Sequence, residues 1–180
     1  MTTLPQSRPA RPGDAEAIAR LHIASWRQTY RNALSEDYLA EAVVPDRMSL
    51  WEKRLTAHDP LQHVLLAEED GVLLGFACAF IHADPAWGAL LDNIHVAQEA
   101  QGSGVGSHLL RAIARHCTMR APHSGLFLWV LQQNVAAQRF YLRHGARNAG
   151  ADVWDAPGGN RVPRFRLAWP PGTTPNDVSR

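Results

Sequence analysis

The sequence predicts a mixed α+β fold in which helices come first, a hairpin follows, and a strand–helix–strand crossover lies at the centre of the sheet. Three observations predict it. Apolar residues recur at helical spacing over the first third of the chain. From His63 the pattern changes to short apolar runs bounded by turn residues. Gly102, Gly104 and Gly106 then stand between one such run and an amphipathic stretch. The 180 residues suit one domain, and neither an internal repeat nor a long linker divides them. A single domain is expected over 1–180, with a core of about 6–169 and a mobile tail over 170–180, where Pro, Thr, Asn and Ser dominate.

The elements follow in order. After an extended start over Gln6 to Arg11, Asp14 is a good N-cap and Glu16 suits the positive end of a helix. Ala15, Ile18, Ala19, Leu21 and Ala24 then recur at helical spacing to about Trp26. His22, Arg27 and Arg31 read as its solvated face. Ser35-Glu36-Asp37 repeats the helix-start chemistry before Tyr38 and Leu39. Pro45-Asp46 opens a further helical stretch carrying Met48, Leu50, Trp51 and Leu55.

Val64 to Ala67 and Val72 to Ile81 read as a hairpin, because Glu69-Asp70-Gly71 supplies an Asp-Gly turn between them. Pro85 to Gly88 breaks the run, and Ala89 to Val96 is the next strand. A helix from Val105 to about Thr118 carries the stripe Val105, Leu109, Leu110, Ile113 and Cys117. Leu126 to Leu131 is apolar throughout, as a central strand covered on both faces requires. Asn134 to His144 is the last helix, with Gly145 placed for a left-handed cap. Ala151 to Trp154 and Val162 to Trp169 form a closing hairpin, in which Pro163 implies an edge strand or a bulge.

Composition excludes several functions. Apolar residues make up 46% and charged residues 19%, and the net charge is +1 with both signs interspersed. Nothing resembles the basic stripe of a nucleic-acid binder, so no nucleic-acid partner is expected. Cys78 and Cys117 lie outside any CxxC or zinc-like spacing and read as small buried fillers. No His/Cys/Asp cluster suggests a metal. Met1 to Pro12 has no apolar signal-peptide segment, and no stretch is long enough to cross a membrane. The default expectation is a cytoplasmic protein without a membrane partner.

The chemistry lies in Gln101-Gly102-Ser103-Gly104-Val105-Gly106. Its glycines permit backbone angles forbidden to other residues and let a ligand approach the main chain. Where such a loop leaves a strand and enters a helix, free N–H groups and the helix dipole bind phosphate without Lys or Arg. A Walker A loop would need Lys after its last glycine, but Ser107 and His108 follow Gly106. A dinucleotide fingerprint would need a third glycine where Ser107 or Leu109 stands. By itself the loop is an anion site of open ligand.

A second block narrows it. Leu128-Trp129-Val130-Leu131 is followed by Asn134-Val135-Ala136-Ala137-Gln138-Arg139-Phe140-Tyr141 and then His144-Gly145. Together with Leu91-Asp92-Asn93-Ile94-His95-Val96 and the glycine loop, this resembles the GNAT superfamily of N-acetyltransferases in two motifs and in element order over about residues 6 to 169. The resemblance implies a mixed, mostly antiparallel sheet, flanked by helices, with a splayed central parallel strand pair that admits acyl-CoA. The backbone of Ile94, His95 and Val96 would pair with the pantetheine arm. Gln101, Gly102, Ser103, Gly104, Val105, Gly106 and Ser107 would hold the pyrophosphate. Asn134 would hydrogen-bond the pantetheine, a role compatible with capping its helix. Tyr141 matches the general acid that protonates the leaving thiolate.

The base stays open. A glutamate serves in ribosomal-protein N-terminal acetyltransferases at the position held here by Trp129, which leaves Asp92, His95 or a water-mediated path. Trp26 and Tyr30, with Trp51, would wall the acceptor pocket, although their spacing equally suits a core stripe. His108, Arg139 and Arg143 would approach the CoA phosphates or remain exposed. The implied activity is transfer of acetyl from acetyl-CoA, the co-substrate, to a primary amine by direct attack in a ternary complex. The alternatives are a protein N-terminal or lysine acetyltransferase, against which Trp129 counts, and a non-catalytic acyl-CoA sensor, against which Tyr141 counts. The family's frequent homodimers would use the terminal hairpin with Trp154 and Trp169.

Overall fold

The computed structural model describes residues 5–175, so the end of the expected tail, 176–180, lies outside the described residues. In chain order it contains β1 (Gln6–Pro9), α1 (Ala15–Thr29), α2 (Val43–Thr56), β2 (Gln62–Glu69), β3 (Val72–Asp84) and β4 (Gly88–Val96). Then come α3 (Val105–Arg120), β5 (Leu126–Leu131), α4 (Val135–Arg143), β6 (Arg147–Asp155) and β7 (Arg161–Trp169). The strands form one seven-stranded sheet in the order β1-β2-β3-β4-β5-β7-β6. Neighbours run antiparallel except β4 and β5, which are parallel.

That parallel pair shapes the molecule. It is in register only at Ala89↔Leu126 and Leu90↔Phe127, after which the two strands diverge. Glycines close the base of the resulting V. A Cβ on Gly88 would run into the Gly125 backbone, and one on Gly125 would stand 2.9 Å from the carbonyl oxygens of Trp87 and Trp169. Ala89 N donates to Gly125 O at 3.0 Å across this contact. Above the base, β4 carries a bulge. Ala79 opposes Leu91 and Cys78 opposes Asn93, so Asp92 is the extra residue. A bulge re-aims side chains that strict alternation would send to opposite faces.

Both faces of the sheet are covered. On one, α3 brings Leu109, Leu110 and Ile113 against Ala77, Leu91 and Leu128, and Tyr141 of α4 joins them. On the other, α1 and α2 bring Ile18 and Trp51 against Leu66, Phe76 and Cys78. A third cluster joins Trp26, Val43, Leu131 and Val162. Full burial of each such aliphatic side chain contributes about 1.5–3 kcal/mol. Cys78 and Cys117 are buried and unbridged, as their surroundings in the sequence implied. No helix among the described residues is long and apolar enough to cross a membrane.

Three local readings need correction. The two helix starts before Trp51 merge, since a π-helical turn over Tyr38–Ala42 runs directly into α2 and Pro45 lies inside the first turn of that helix. Pro is tolerated there because the first N–H groups of a helix have no intrahelical acceptor. Pro163 does not mark an edge, because β7 lies between β5 and β6. Its carbonyl accepts from Gln132 N, one residue past the Leu131↔Arg164 pair that ends the β5 ladder. The missing N–H points the same way, beyond the end of the β5 ladder, so the bonds from β7 to β6 are not affected. His22 is not solvated but fully buried (0% exposed), and Trp51 Nε1 donates to its Nδ1 at 3.0 Å.

Candidate active site

The V between β4 and β5 opens into a cleft of about 680 Å³. Most of the residues singled out in the sequence converge on it. Asp92, Ile94, His95 and Val96 line it from β4, Gln101 from the loop, and Asn134 and Tyr141 from the α4 side. Trp26 and Tyr30 line it from α1. Trp51 does not, being a core residue of α2 (0% exposed). Gly102 to Ser107 follow Gln101 directly, just outside the lining, and form the turn into α3.

Local conformation explains that turn. Gly102 and Gly104 have φ of 79° and 95°, the left-handed region in which a side chain is strained. A Cβ on either would meet nothing within 4 Å among the described residues. Ser103 Oγ donates to Ala100 O at 2.6 Å and fixes the loop from inside. Gly104 caps α3 without a side-chain bond. The amides of Val105, Gly106 and Ser107 therefore open the helix with no acceptor among the described residues. Amides arranged in this way at a helix start can hold an anion.

α4 is held rigidly beside it. Asn134 caps α4 through Oδ1, which accepts from Ala137 N at 3.1 Å, leaving its amide NH₂ for the cleft. His144, fully buried, donates from Nδ1 to Phe140 O at 2.9 Å. Its Nε2 then accepts from Ser107 Oγ at 3.0 Å, which ties the end of α4 to the start of α3. Trp169 Nε1 donates to His144 O at 2.9 Å. Trp169 is therefore an internal brace (1% exposed) and no interface residue, while Trp154 turns inward toward Trp26. Tyr141 sits edge-on to Phe140 and Trp169. Burial, then Tyr30, pushes its phenol well above the usual range, and burial, then Asp92, pushes Tyr30 up to about 12. Both stay protonated at neutral pH.

The two candidate bases stand differently. Asp92, re-aimed by the bulge, pairs with Arg54 at 2.8 Å, and Arg54 also donates to Asn93 Oδ1 at 3.0 Å. His95 Nδ1 lies 2.7 Å from Ser25 Oγ, and its ring lies 4.6 Å from His22. Burial, with Arg47 adding repulsion, lowers His95 to about 4, so it is neutral at physiological pH. His22 lies even further below the usual range, chiefly through burial.

Sequence reasoning missed four residues here. No pattern in the sequence singles out Ser25, Arg47 or Arg54, and only the packing of α1 and α2 on β4 brings them to the cleft. His144 carried a signal only through Gly145 beside it. Of the three basic residues considered for phosphate, His108 Nε2 lies 3.1 Å from Ser7 Oγ, and Arg139 and Arg143 are exposed on α4.

A model of the acetyltransferase (GNAT) family matches residues 20–146. An uncharacterized N-acetyltransferase of Bacillus subtilis, YuaI, is 28% identical over 166 residues, covering 91% of each chain. The crystal structure of a GCN5-related N-acetyltransferase from Rhodopseudomonas palustris superposes with a TM-score of 0.72 at 22% identity, over 93% of this chain and 96% of the other. The PaiA N-acetyltransferase of Thermoplasma acidophilum, solved in complex with coenzyme A, superposes with a TM-score of 0.64 at 20% identity, over 91% and 98%.

Proposed function

The chain belongs to the acetyltransferase (GNAT) family, and from that membership we propose that it transfers acetyl from acetyl-CoA to a primary amine by direct attack in a ternary complex. The observation that carries the reading is the cleft itself. One V-shaped opening joins a backbone anion site, an unpaired edge of β4 and a buried, protonated tyrosine. The coenzyme A bound to the Thermoplasma relative supports the choice of donor. The unengaged amides of Val105, Gly106 and Ser107, with Gln101 to Gly104, would hold the pyrophosphate. The diverging backbone of Ile94, His95 and Val96 would receive the pantetheine as an added strand. The amide of Asn134 would bond it from the opposite wall.

The chemistry balances without a further co-reactant. The neutral amine attacks the thioester carbonyl, a C–N bond forms, and the C–S bond breaks as the thiolate leaves. Backbone N–H groups of β4 would polarise the carbonyl. Tyr141, kept protonated by burial, would give its proton to the thiolate. The amine's own proton would leave through His95 or Asp92. His95 offers a neutral imidazole fixed by Ser25, and Asp92 a carboxylate aimed into the cleft by the bulge. Trp26 and Tyr30 would wall the acceptor.

Two measurements test this reading. Isothermal titration should show acetyl-CoA binding, and an amine screen should release free thiol. No binding sinks the donor assignment. Binding without thiol release from any amine would make the protein an acyl-CoA sensor.

A further inference from the structure

The acceptor side of the cleft is rich in cations. Arg47, Arg54 and Arg164 all line it. Arg54 is met by Asp92 and Asn93, and Arg164 places both Nε and Nη2 on Asp152. Arg47 is met far less well. Its Nη2 donates to Asp46 Oδ2 at 3.0 Å, the Tyr38 hydroxyl donates to that same oxygen, and Tyr38 also lies against the guanidinium. Its Nε is buried with no acceptor among the described residues. The side chain is 13% exposed, and its guanidinium lies 4.5 Å over the Trp26 ring. Asp46 balances the charge, but a guanidinium carries five N–H donors and cannot shed its proton, so the buried Nε and the cleft-facing donors stay short of acceptors.

The cleft has no carboxylate to spare. Asp92 is engaged by Arg54 and Asp155 by Arg161, at 3.3 Å. A polycationic acceptor would face three lining guanidinium groups against two lining carboxylates, each already ion-paired, an arrangement that disfavours it.

We propose that the acceptor is a small monoamine that also bears an anionic group, a carboxylate, and that Arg47 holds that group. The proposal rests on the acetyltransfer reading above and names its substrate class. The amine lies toward Asp92 and His95 on β4, the acid lies toward α2, and the body between them rests on Trp26 and Tyr30. An anion on the cleft side of Arg47 supplies acceptors for the donors that Asp46 leaves unmet, and a guanidinium suits a carboxylate through its planar fork.

Thiol release from acetyl-CoA tests this with matched acceptors that differ only in the acid. The set is an α-amino acid and its amide, an ω-amino acid and its amide, an aminophosphonate, and a diamine. The acid-bearing amine should exceed its amide by about 10-fold or more in kcat/KM, mainly through KM. Arg47→Gln should bring that ratio close to one. Arg47→Lys should keep part of it, because the charge remains and the fork is lost. Thermal unfolding of both variants controls for folding, and if Arg47→Gln does not fold, the partial loss in Arg47→Lys decides. The aminophosphonate shows which anion fits better, and either anion above the amide supports the proposal. An amide or diamine used as well as the acid overturns it, as does a preference that survives Arg47→Gln. No thiol release with any amine overturns the acetyltransfer reading and this proposal together, whereas release indifferent to the acid overturns this proposal alone.

Discussion

The two ends of the cleft are built from different materials. The loop end consists of main chain: two left-handed glycines, three unengaged amides at the start of α3, and no ionisable residue between Gln101 and Ser107. The helix wall consists of side chains, with Trp26, Tyr30, Arg47 and Arg54 arriving from α1 and α2 against Asp92 and His95 of β4. A site made of backbone needs a particular run of residues, since only glycine adopts its angles freely. A site made of side chains needs only that the right atoms meet. The first suits a donor common to a family, and the second suits an acceptor that differs from member to member.

The largest expected effect comes from the loop. Gly104→Val puts a β-branched residue at φ 95° and should lower acetyl-CoA affinity by about 100-fold or more while the helices stay folded. Wild-type affinity by titration calorimetry would remove the loop from the donor site. Next, Tyr141→Phe should cut kcat by about 100-fold, in the range of general acid catalysis, with a much smaller change in the KM for acetyl-CoA. An unchanged kcat would assign thiolate protonation elsewhere.

The helix wall should be the acid-sensitive half. His22, buried, and His95, half-buried, are both held neutral there, His95 with its value lowered to about 4, chiefly by desolvation. Below the ordinary histidine value of about 6.5 the unfolded chain binds more protons than the folded one, so stability rises with pH in this window. It is fully present above about 6.5 and is lost as pH falls toward about 4. The Tm should therefore drop steadily over that interval, and a flat Tm would mean that these imidazoles are not held neutral.

The smallest effect separates two roles of one residue. Asn134→Ala should cost about 1 kcal/mol of stability through the lost cap and should also weaken acetyl-CoA binding. Asn134→Asp keeps a capping oxygen but loses the amide donor. It should retain stability yet bind acetyl-CoA less well, and equal affinity would leave Asn134 as a cap alone.

Residue by residue, the loop end was the more legible half. Gln101 to Ser107 and Asn134 to Tyr141 stand in two short blocks, and the turn, the cap and the helix predicted from them are all present. Gly145 takes the left-handed angle expected of it, with φ 86°. The helix wall was legible only as elements. His22 sits at a helical position that an exposed residue could occupy as easily, and its burial follows from Trp51 and Phe76 closing over it. Asp92 lines the cleft because of a bulge that no local residue pattern announced. Nothing in the residues around Arg47 marks it as a cleft residue.

The sequence by itself determined the order of the elements, the glycine turn, the cap of α4 and the family. The first three follow from periodicity and backbone preference within a few neighbouring residues, and the family from the resemblance of two motifs and their order. Only the tertiary structure decided where β4 parts from β5, that Pro163 lies inside the sheet, and that Arg47 lines the cleft with its buried Nε short of an acceptor among the described residues. Those outcomes depend on contacts between elements far apart in the chain, where burial and charge pairing are settled by what packs opposite. Local preference stops at the ends of each element, and the acceptor wall lies beyond them.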